Sequence, residues 1–241
     1  MMRPLCALVG AGDGLGRALA AKFASEGCDI ALLSRTQAGS AAAADAAQAA
    51  GAKVRFFAAD ATRPASIDQA FEQLAAELGA VEILIYNARG PAARRAPLAM
   101  SYADLDEIFQ LEVVGAFAAA KAVMPAMITR GQGSVMFSSA TAALRGSGSN
   151  PLYAIGKFGL RALAQSLAKA HAKDGVHVAH IRLDCTLDVP FVRQYLGTAF
   201  KAEDTANTDD VAATYWWVHQ QPKSAWSNEV ELRPYTENWT Y

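Results

Sequence analysis

Cysteine is scarce in this chain: Cys6, Cys28 and Cys185 lie far apart and are odd in number. That excludes a disulfide framework, fits a reducing compartment, and leaves the thiols as small apolar filler. Neither sign of charge predominates. With 22 Lys+Arg against 23 Asp+Glu the formal net charge is −1, and there is no long basic run. Nucleic acid and anionic membrane are therefore not expected partners. The four histidines, His171, His177, His180 and His219, show neither an HExxH arrangement nor a spacing suited to zinc, so no metal site is expected. No uninterrupted apolar stretch approaches bilayer-spanning length, and the run at 5–9 is too short for a secretory signal. The expectation is a soluble, cytoplasmic protein. A repeat at solenoid spacing is also missing.

What is present is a hydrophobic fraction of 52% against 19% charged residues, the balance of a globular protein with a sizeable core. Short apolar runs alternate with longer, alanine-rich patterns of helical period. They predict strands at 5–9, 29–33, 53–58, 82–86, 134–138, 176–183 and 229–232. Helices are predicted at 15–26, 37–50, 64–78, 102–129, 153–173 and 209–219. Pro64 suits a first helical turn, and Gly27, Gly51 and Gly79 suit helix ends. Apolar strands separated by helices imply a parallel sheet covered on both faces. Right-handed crossovers then give a doubly wound α/β fold of about seven strands. No linker interrupts the alternation, so 1–241 reads as a single domain.

The segment Gly10-Ala11-Gly12-Asp13-Gly14-Leu15-Gly16 lies between the first predicted strand and the first predicted helix. A helix start carries unsatisfied N–H groups and the positive end of a dipole, which suits phosphate. Glycine lets the backbone turn sharply and approach a pyrophosphate without a Cβ in the way. A tight βα turn alone has the same look, but the placement in the first βα unit marks a nucleotide-cofactor loop. The second strand ends in Leu33-Ser34-Arg35-Thr36, with no acid until Asp45. An acid there would hold a ribose 2′-OH, whereas an arginine accommodates a 2′-phosphate. Arg35, with a hydroxyl from Ser34, thus favours NADP(H), with NAD(H) possible; the plain alternative is an exposed surface arginine.

Tyr153 and Lys157 are four residues apart at the start of a predicted helix, hence on one face. Tyrosine ordinarily ionises near pH 10, too high for proton exchange at neutral pH, and a nearby ammonium stabilises the phenolate. Such a tyrosine protonates a carbonyl oxygen as hydride arrives, or deprotonates an alcohol in reverse. In isolation the spacing also describes a surface lysine beside a buried tyrosine. Here it falls at the carboxyl ends of the strands, where ligands bind in open α/β sheets.

With these motifs in order, the chain resembles the short-chain dehydrogenase/reductase family over essentially its whole length. Gly10, Gly14 and Gly16 match the glycines of its TGxxxGxG loop, which includes Leu15. Ala59-Asp60-Ala61 resembles its adenine-contacting acid, and Asn87-Ala88 its Asn-Ala-Gly. Ser138-Ser139 stands where the family carries a substrate-orienting serine, and Tyr153-Ala154-Ile155-Gly156-Lys157 matches YxxxK. The resemblance implies a Rossmann fold and an NADP(H)-dependent oxidoreductase acting on a small carbonyl or alcohol. It assigns Ser139, Tyr153 and Lys157 to catalysis, with Tyr153 as general acid/base. It assigns Gly10, Gly14, Leu15, Gly16, Ser34, Arg35, Asp60, Ala61, Asn87, Tyr153 and Lys157 to the cofactor. It also implies a homodimer or homotetramer, built on the long helices and the last strand.

The match breaks in four places. Arg89 replaces the glycine after Asn87-Ala88. Ser139 lies fourteen residues before Tyr153, one more than is usual in the family, which leaves Ser138 and Thr141 as alternatives for its role. Glu112, three residues before Gly115, stands where the family has an asparagine. It can join a proton relay, pair with Lys157, or hold the lysine away from Tyr153. Asp184-Cys185-Thr186-Leu187-Asp188-Val189-Pro190 replaces the family's Pro-Gly and threonine. These departures support a second expectation, a catalytically weak NADP(H)-binding sensor or interaction protein. Arg94-Arg95 is suited to an anionic substrate or to a solvated loop. Phe191, Tyr195, Leu196 and Phe200 suit a partly apolar substrate or a lid packed on itself. Trp216, Trp217, Trp226, Trp239 and Tyr241 suit the lining of a substrate pocket or a subunit interface, with the interface favoured.

Overall fold

A computed structural model describes residues 3–90 and 94–237 of the protein; Trp239 and Tyr241 lie outside the described residues. Its centre is a seven-stranded parallel sheet in the order β3-β2-β1-β4-β5-β6-β9. The strands are β1 (Leu5–Val9), β2 (Asp29–Ser34), β3 (Val54–Ala58), β4 (Ile83–Tyr86), β5 (Gly133–Ala140), β6 (Val176–Leu183) and β9 (Glu229–Leu232). Every residue of β1 and β4 is buried, as expected of strands covered on both faces. Arg55 on β3, and Glu229 and Glu231 on β9, put the charge on the two edge strands.

Helices α1 (Leu15–Ser25), α2 (Ala41–Ala49) and α8 (Thr208–His219) cover one face. Helices α3 (Pro64–Leu78), α5 (Gly115–Arg130) and α6 (Pro151–His171) cover the other. In α6 the buried Leu152, Gly156, Leu160, Ala164 and Ala168 recur every four residues, the stripe that faces the sheet. Leu8, Ile30, Leu32 and Ile83 are fully buried beneath the first face, each worth about 1.5–3 kcal/mol relative to exposure. The alanines of α2 leave a cavity of about 270 Å³ between that helix and Leu32, Val54 and Phe56, remote from Tyr153 and Lys157.

The predicted helix 102–129 is not one regular helix. It comprises α4 (Tyr102–Phe109), a π-helical turn (Gln110–Val114) and α5. The Tyr86 hydroxyl donates to the Leu111 carbonyl within this turn. At Gly115 a Cβ would stand 2.2 Å from the Ala61 carbonyl oxygen, so glycine permits the close approach. A single inserted residue leaves the apolar period almost unchanged, which hides the turn in a sequence pattern. The stretch Tyr102–Arg130 also corrects the view that nothing here is long and apolar enough to cross a membrane. An 18-residue window within it reaches a mean hydropathy of 1.6, but 56% of that window is buried within this fold, as in a core helix.

The segment after β6 is more ordered than its sequence suggests. β7 (Thr186–Asp188) pairs in parallel with β8 (Thr205–Asn207), and α7 (Pro190–Leu196) lies between them. Two of the tail tryptophans pack within their own chain. Trp216 meets Phe23 edge-on at 5.3 Å, and Trp226 stacks on His177 at 4.6 Å. Burial pushes His180 and His219 down to about 4, so both are neutral core residues at pH 7.

Candidate active site

The sheet order reverses between β1 and β4, and the glycine loop opens at this switch point. Gly10 adopts φ +86°, and a Cβ on it would lie 2.5 Å from the backbone of Ala88. A Cβ on Gly16 would lie 2.9 Å from the backbone of Ala11. These two glycines therefore serve tight packing of the loop itself. Gly12, by contrast, faces open space, leaving room beside the backbone for a ligand. Asn87 fastens the loop to the end of β4: its Nδ2 donates to the Gly10 carbonyl at 3.0 Å. No side chain caps the start of α1 and no acid lies in its first turn, so the N–H groups at Leu15 and Gly16 present a positive end.

Arg35 is exposed just beyond β2, and its charge helps hold Asp60 ionised from across the sheet edge. The larger cause is Thr62, whose hydroxyl donates to Asp60 at 2.7 Å; together they hold the carboxyl below its ordinary range. Ser34 is less available than expected, since its hydroxyl donates to the Thr36 carbonyl at 3.0 Å. Ala61 lies beside Asp60, its carbonyl against Gly115.

Three hydroxyls compete for the serine role at the end of β5. Ser138 Oγ accepts from the Tyr215 hydroxyl at 2.8 Å. Thr141 donates to Asp184, a carboxylate also paired with Arg233 at 2.6 Å. Ser139 Oγ is buried and has no hydrogen-bond partner. Strand alternation puts Ser139 on the side of Val135 and Phe137, the face covered by α6. A buried hydroxyl without a partner is costly unless a ligand completes it.

Tyr153 is half-buried on the first turn of α6, and Lys157 is buried one turn later. The Lys157 ammonium lies 5.7 Å from the centre of the Tyr153 ring. It donates to Glu112 Oε2 at 2.8 Å and to the Ser138 carbonyl at 3.1 Å. An ammonium has three N–H groups, so one remains for another acceptor. Burial opposes the charge on Lys157, but the Glu112 carboxylate, Tyr153 and the hydrogen bond to Glu112 together outweigh it and hold the group above its ordinary range. Glu112 itself is 1% exposed and projects from the π-helical turn. Burial, and then Glu112, push the Tyr86 hydroxyl well above the tyrosine range.

The departures after β6 form braces. Asp184 links Thr141 to Arg233, and Arg182 and Arg233 both pair with Glu231. The sequence reading missed this network, because its members are scattered over three segments. Burial and the neighbouring Asp184 push the Cys185 thiol up to about 12, so it stays protonated. Val189 reaches back to the glycine loop: its Cγ1 stands 2.9 Å from where a Cβ on Gly14 would be. Phe191 and Tyr195 are stacked and exposed on α7. Arg193 pairs with Asp188 and lies over Phe200 at 4.9 Å. Arg95 pairs with Asp104 at 3.1 Å, and Arg94 and Arg89 are exposed. Among the described residues, no group of three His, Cys, Asp or Glu side chains is arranged to hold a metal ion.

Residues 5–194 match the family model described as short chain dehydrogenase. The 3-oxoacyl-[acyl-carrier-protein] reductase FabG of Escherichia coli is 30% identical over 171 residues, covering 71% of this chain and 68% of that protein. A solved short-chain dehydrogenase from Rhodopseudomonas palustris is 30% identical, with a TM-score of 0.81 over 96% of this chain and 99% of its own. L-Sorbose reductase from Gluconobacter frateurii, solved with NADPH and L-sorbose, has a TM-score of 0.86 over 97% of this chain and 96% of its own. At 20% identity this last likeness shows the fold alone.

Proposed function

Because the chain belongs to the short-chain dehydrogenase/reductase family of oxidoreductases, we propose that it exchanges hydride between NADP(H) and a small carbonyl or alcohol substrate, with Tyr153 as general acid/base. The observation that carries this reading is the buried Ser139 hydroxyl without a partner, on the face of β5 that α6 covers with Tyr153 and Lys157. The nicotinamide, when bound, supplies or accepts the hydride.

This chain's residues do the rest. Ser139 donates to the substrate oxygen and fixes its orientation. Tyr153 gives that oxygen a proton in reduction and removes one in oxidation. Lys157 stabilises the phenolate and offers its third N–H to the nicotinamide ribose. The uncapped start of α1 and the space beside Gly12 suit the pyrophosphate. Asp60, Ala61 and Asn87 frame the adenosine and nicotinamide sides of the cleft, Asn87 mainly by pinning the loop through Gly10.

The preference for NADP(H) rests on Arg35, which is exposed at the end of β2 where no acid stands. Ser34 contributes less, since its hydroxyl is turned to Thr36. Arg35→Ser is expected to weaken NADPH binding by about 10- to 100-fold, the worth of a charge-assisted bond, and to leave NADH binding nearly unchanged. Fluorescence titration with both nucleotides checks this. Equal losses for the two would overturn the assignment of Arg35 to a 2′-phosphate.

Phe109, Phe117, Ile155 and Phe158 expose large apolar side chains on α4, α5 and α6. A second copy of the chain packing on these helices would bury them, so the protein is proposed to be a homo-oligomer. Sedimentation equilibrium at micromolar concentration tests it, and a monomer would count against it. One observation favours the second reading, a nucleotide-binding protein with little turnover: two of the three Lys157 donors are already engaged by Glu112 and Ser138. Inactivity across a broad panel of ketones, aldehydes and alcohols, with NADPH binding intact, would decide for it.

A further inference from the structure

Lys157 and Glu112 form an ion pair in which neither side chain is more than 5% exposed. The surroundings are shaped for it. Gly156 sits beneath the glutamate, and a Cβ there would stand 2.8 Å from Glu112 Cγ and 3.0 Å from its Cβ. The π-helical turn carries Glu112 against α6 at this point. A glycine inside the Tyr153–Lys157 spacing and a turn of unusual period in the facing helix thus both serve to seat one carboxylate. A carboxylate under the lysine changes the charge of the whole group. With Glu112 ionised, Lys157 protonated and Tyr153 neutral, the cluster carries no net charge, and loss of a further proton leaves it negative.

We infer that Glu112 is a positioning residue that keeps the Tyr153–Lys157 pair protonated, fitting the site to donate a proton in carbonyl reduction. The inference rests on the proposed role of Tyr153. Its physical basis is Coulombic. A carboxylate in contact with the ammonium opposes removal of a proton from either member of the pair, because the charge left behind is of its own sign. The other groups in reach do not cancel it. Arg89 approaches Lys157 from the end of β4 and acts in the opposite sense more weakly than Glu112. His180 faces Lys157 from β6 and is neutral at pH 7, with Arg161 and Glu229 beside it. Tyr86 faces Glu112 from β4 and is held un-ionised, with Asp60 contributing.

The test needs neither cofactor nor substrate. Carbon-13-labelled tyrosine and lysine resonances are followed against pH in the intact protein and in Glu112→Gln, with Tyr153→Phe and Lys157→Met assigning the two signals. The pair titrates as a unit, so the quantity read is the pH at which it loses its first proton. Glu112→Gln is expected to lower that pH by about one unit or more, and Glu112→Asp to leave it near the starting value. The upper limb of the pH profile for carbonyl reduction moves down with it, once a substrate is in hand. Glu112→Asn replaces Glu112→Gln if the latter does not fold. Unchanged titration in a folded neutral variant would overturn the inference, since a merely structural ion pair predicts lost stability alone. The outcomes separate cleanly from those of the functional reading. A shifted titration without turnover keeps the role of Glu112 and removes the reductase, and turnover without a shift does the reverse.

Discussion

Tyr153→Phe is expected to lower kcat/KM for hydride transfer by about 10²- to 10⁴-fold, the usual worth of a positioned general acid or base. NADPH affinity should survive within about a factor of three, because the phenol oxygen is lost while the glycine loop, Arg35 and Lys157 remain. The loss should fall on kcat and kcat/KM together, as for an interaction made in the transition state. Stopped-flow or steady-state assays on the best substrate of a carbonyl and alcohol panel, alongside nucleotide titration, measure both quantities. Retained turnover would remove Tyr153 from the mechanism. A parallel loss of cofactor binding would instead indicate a disturbed fold around α6, which circular dichroism would report.

The second large effect is on stability. Lys157→Met leaves Glu112 buried without its cation, and unpairing a buried ion pair from one side costs about 3–5 kcal/mol. In a domain of this size that lowers the melting temperature by roughly 10 °C. The pH dependence has a definite sign. An unpaired buried carboxyl has a raised pKa in the folded state, so folding favours its protonated form. The deficit of Lys157→Met is therefore smallest at about pH 5 and grows as the pH rises toward about pH 8. Adding Glu112→Gln removes the buried charge and is expected to restore most of the loss. Denaturant unfolding of the single and double variants at both pH values decides the matter. A single variant as stable as the starting protein at the higher pH would show that the pair is not buried in solution.

Sequence and structure divide the site between them along a physical line. Motifs that depend on contiguous residues were legible. The glycine loop, Arg35 after a strand, and Tyr153 four residues from Lys157 each lie where the local pattern puts them, because a βα turn or one helical turn brings their parts together. The seven strands followed from apolar runs for the same reason, with ends off by a residue or two where strands fray. Glu112 was marked by its place before Gly115, but whether it pairs with Lys157 was open until the two helices were packed.

By itself, then, the chain determined that a parallel doubly wound sheet would set a glycine loop and a Tyr–Lys pair at the same edge. Those features rest on periodicity and short spacings, which the polymer carries in order. Only the tertiary structure showed that Tyr215 engages Ser138 and Asp184 engages Thr141, while the Ser139 hydroxyl is left without a partner. It also supplied the π-helical turn, the parallel pairing of β7 with β8, and the inward packing of Trp216 and Trp226. Above all it set Glu112 against Lys157, 45 residues away in sequence. A contact of that range depends on how two helices pack on one sheet, and on glycines at 115 and 156 that let their backbones approach. No local pattern encodes that distance, so the pairing of Glu112 with Lys157 is a property of the fold.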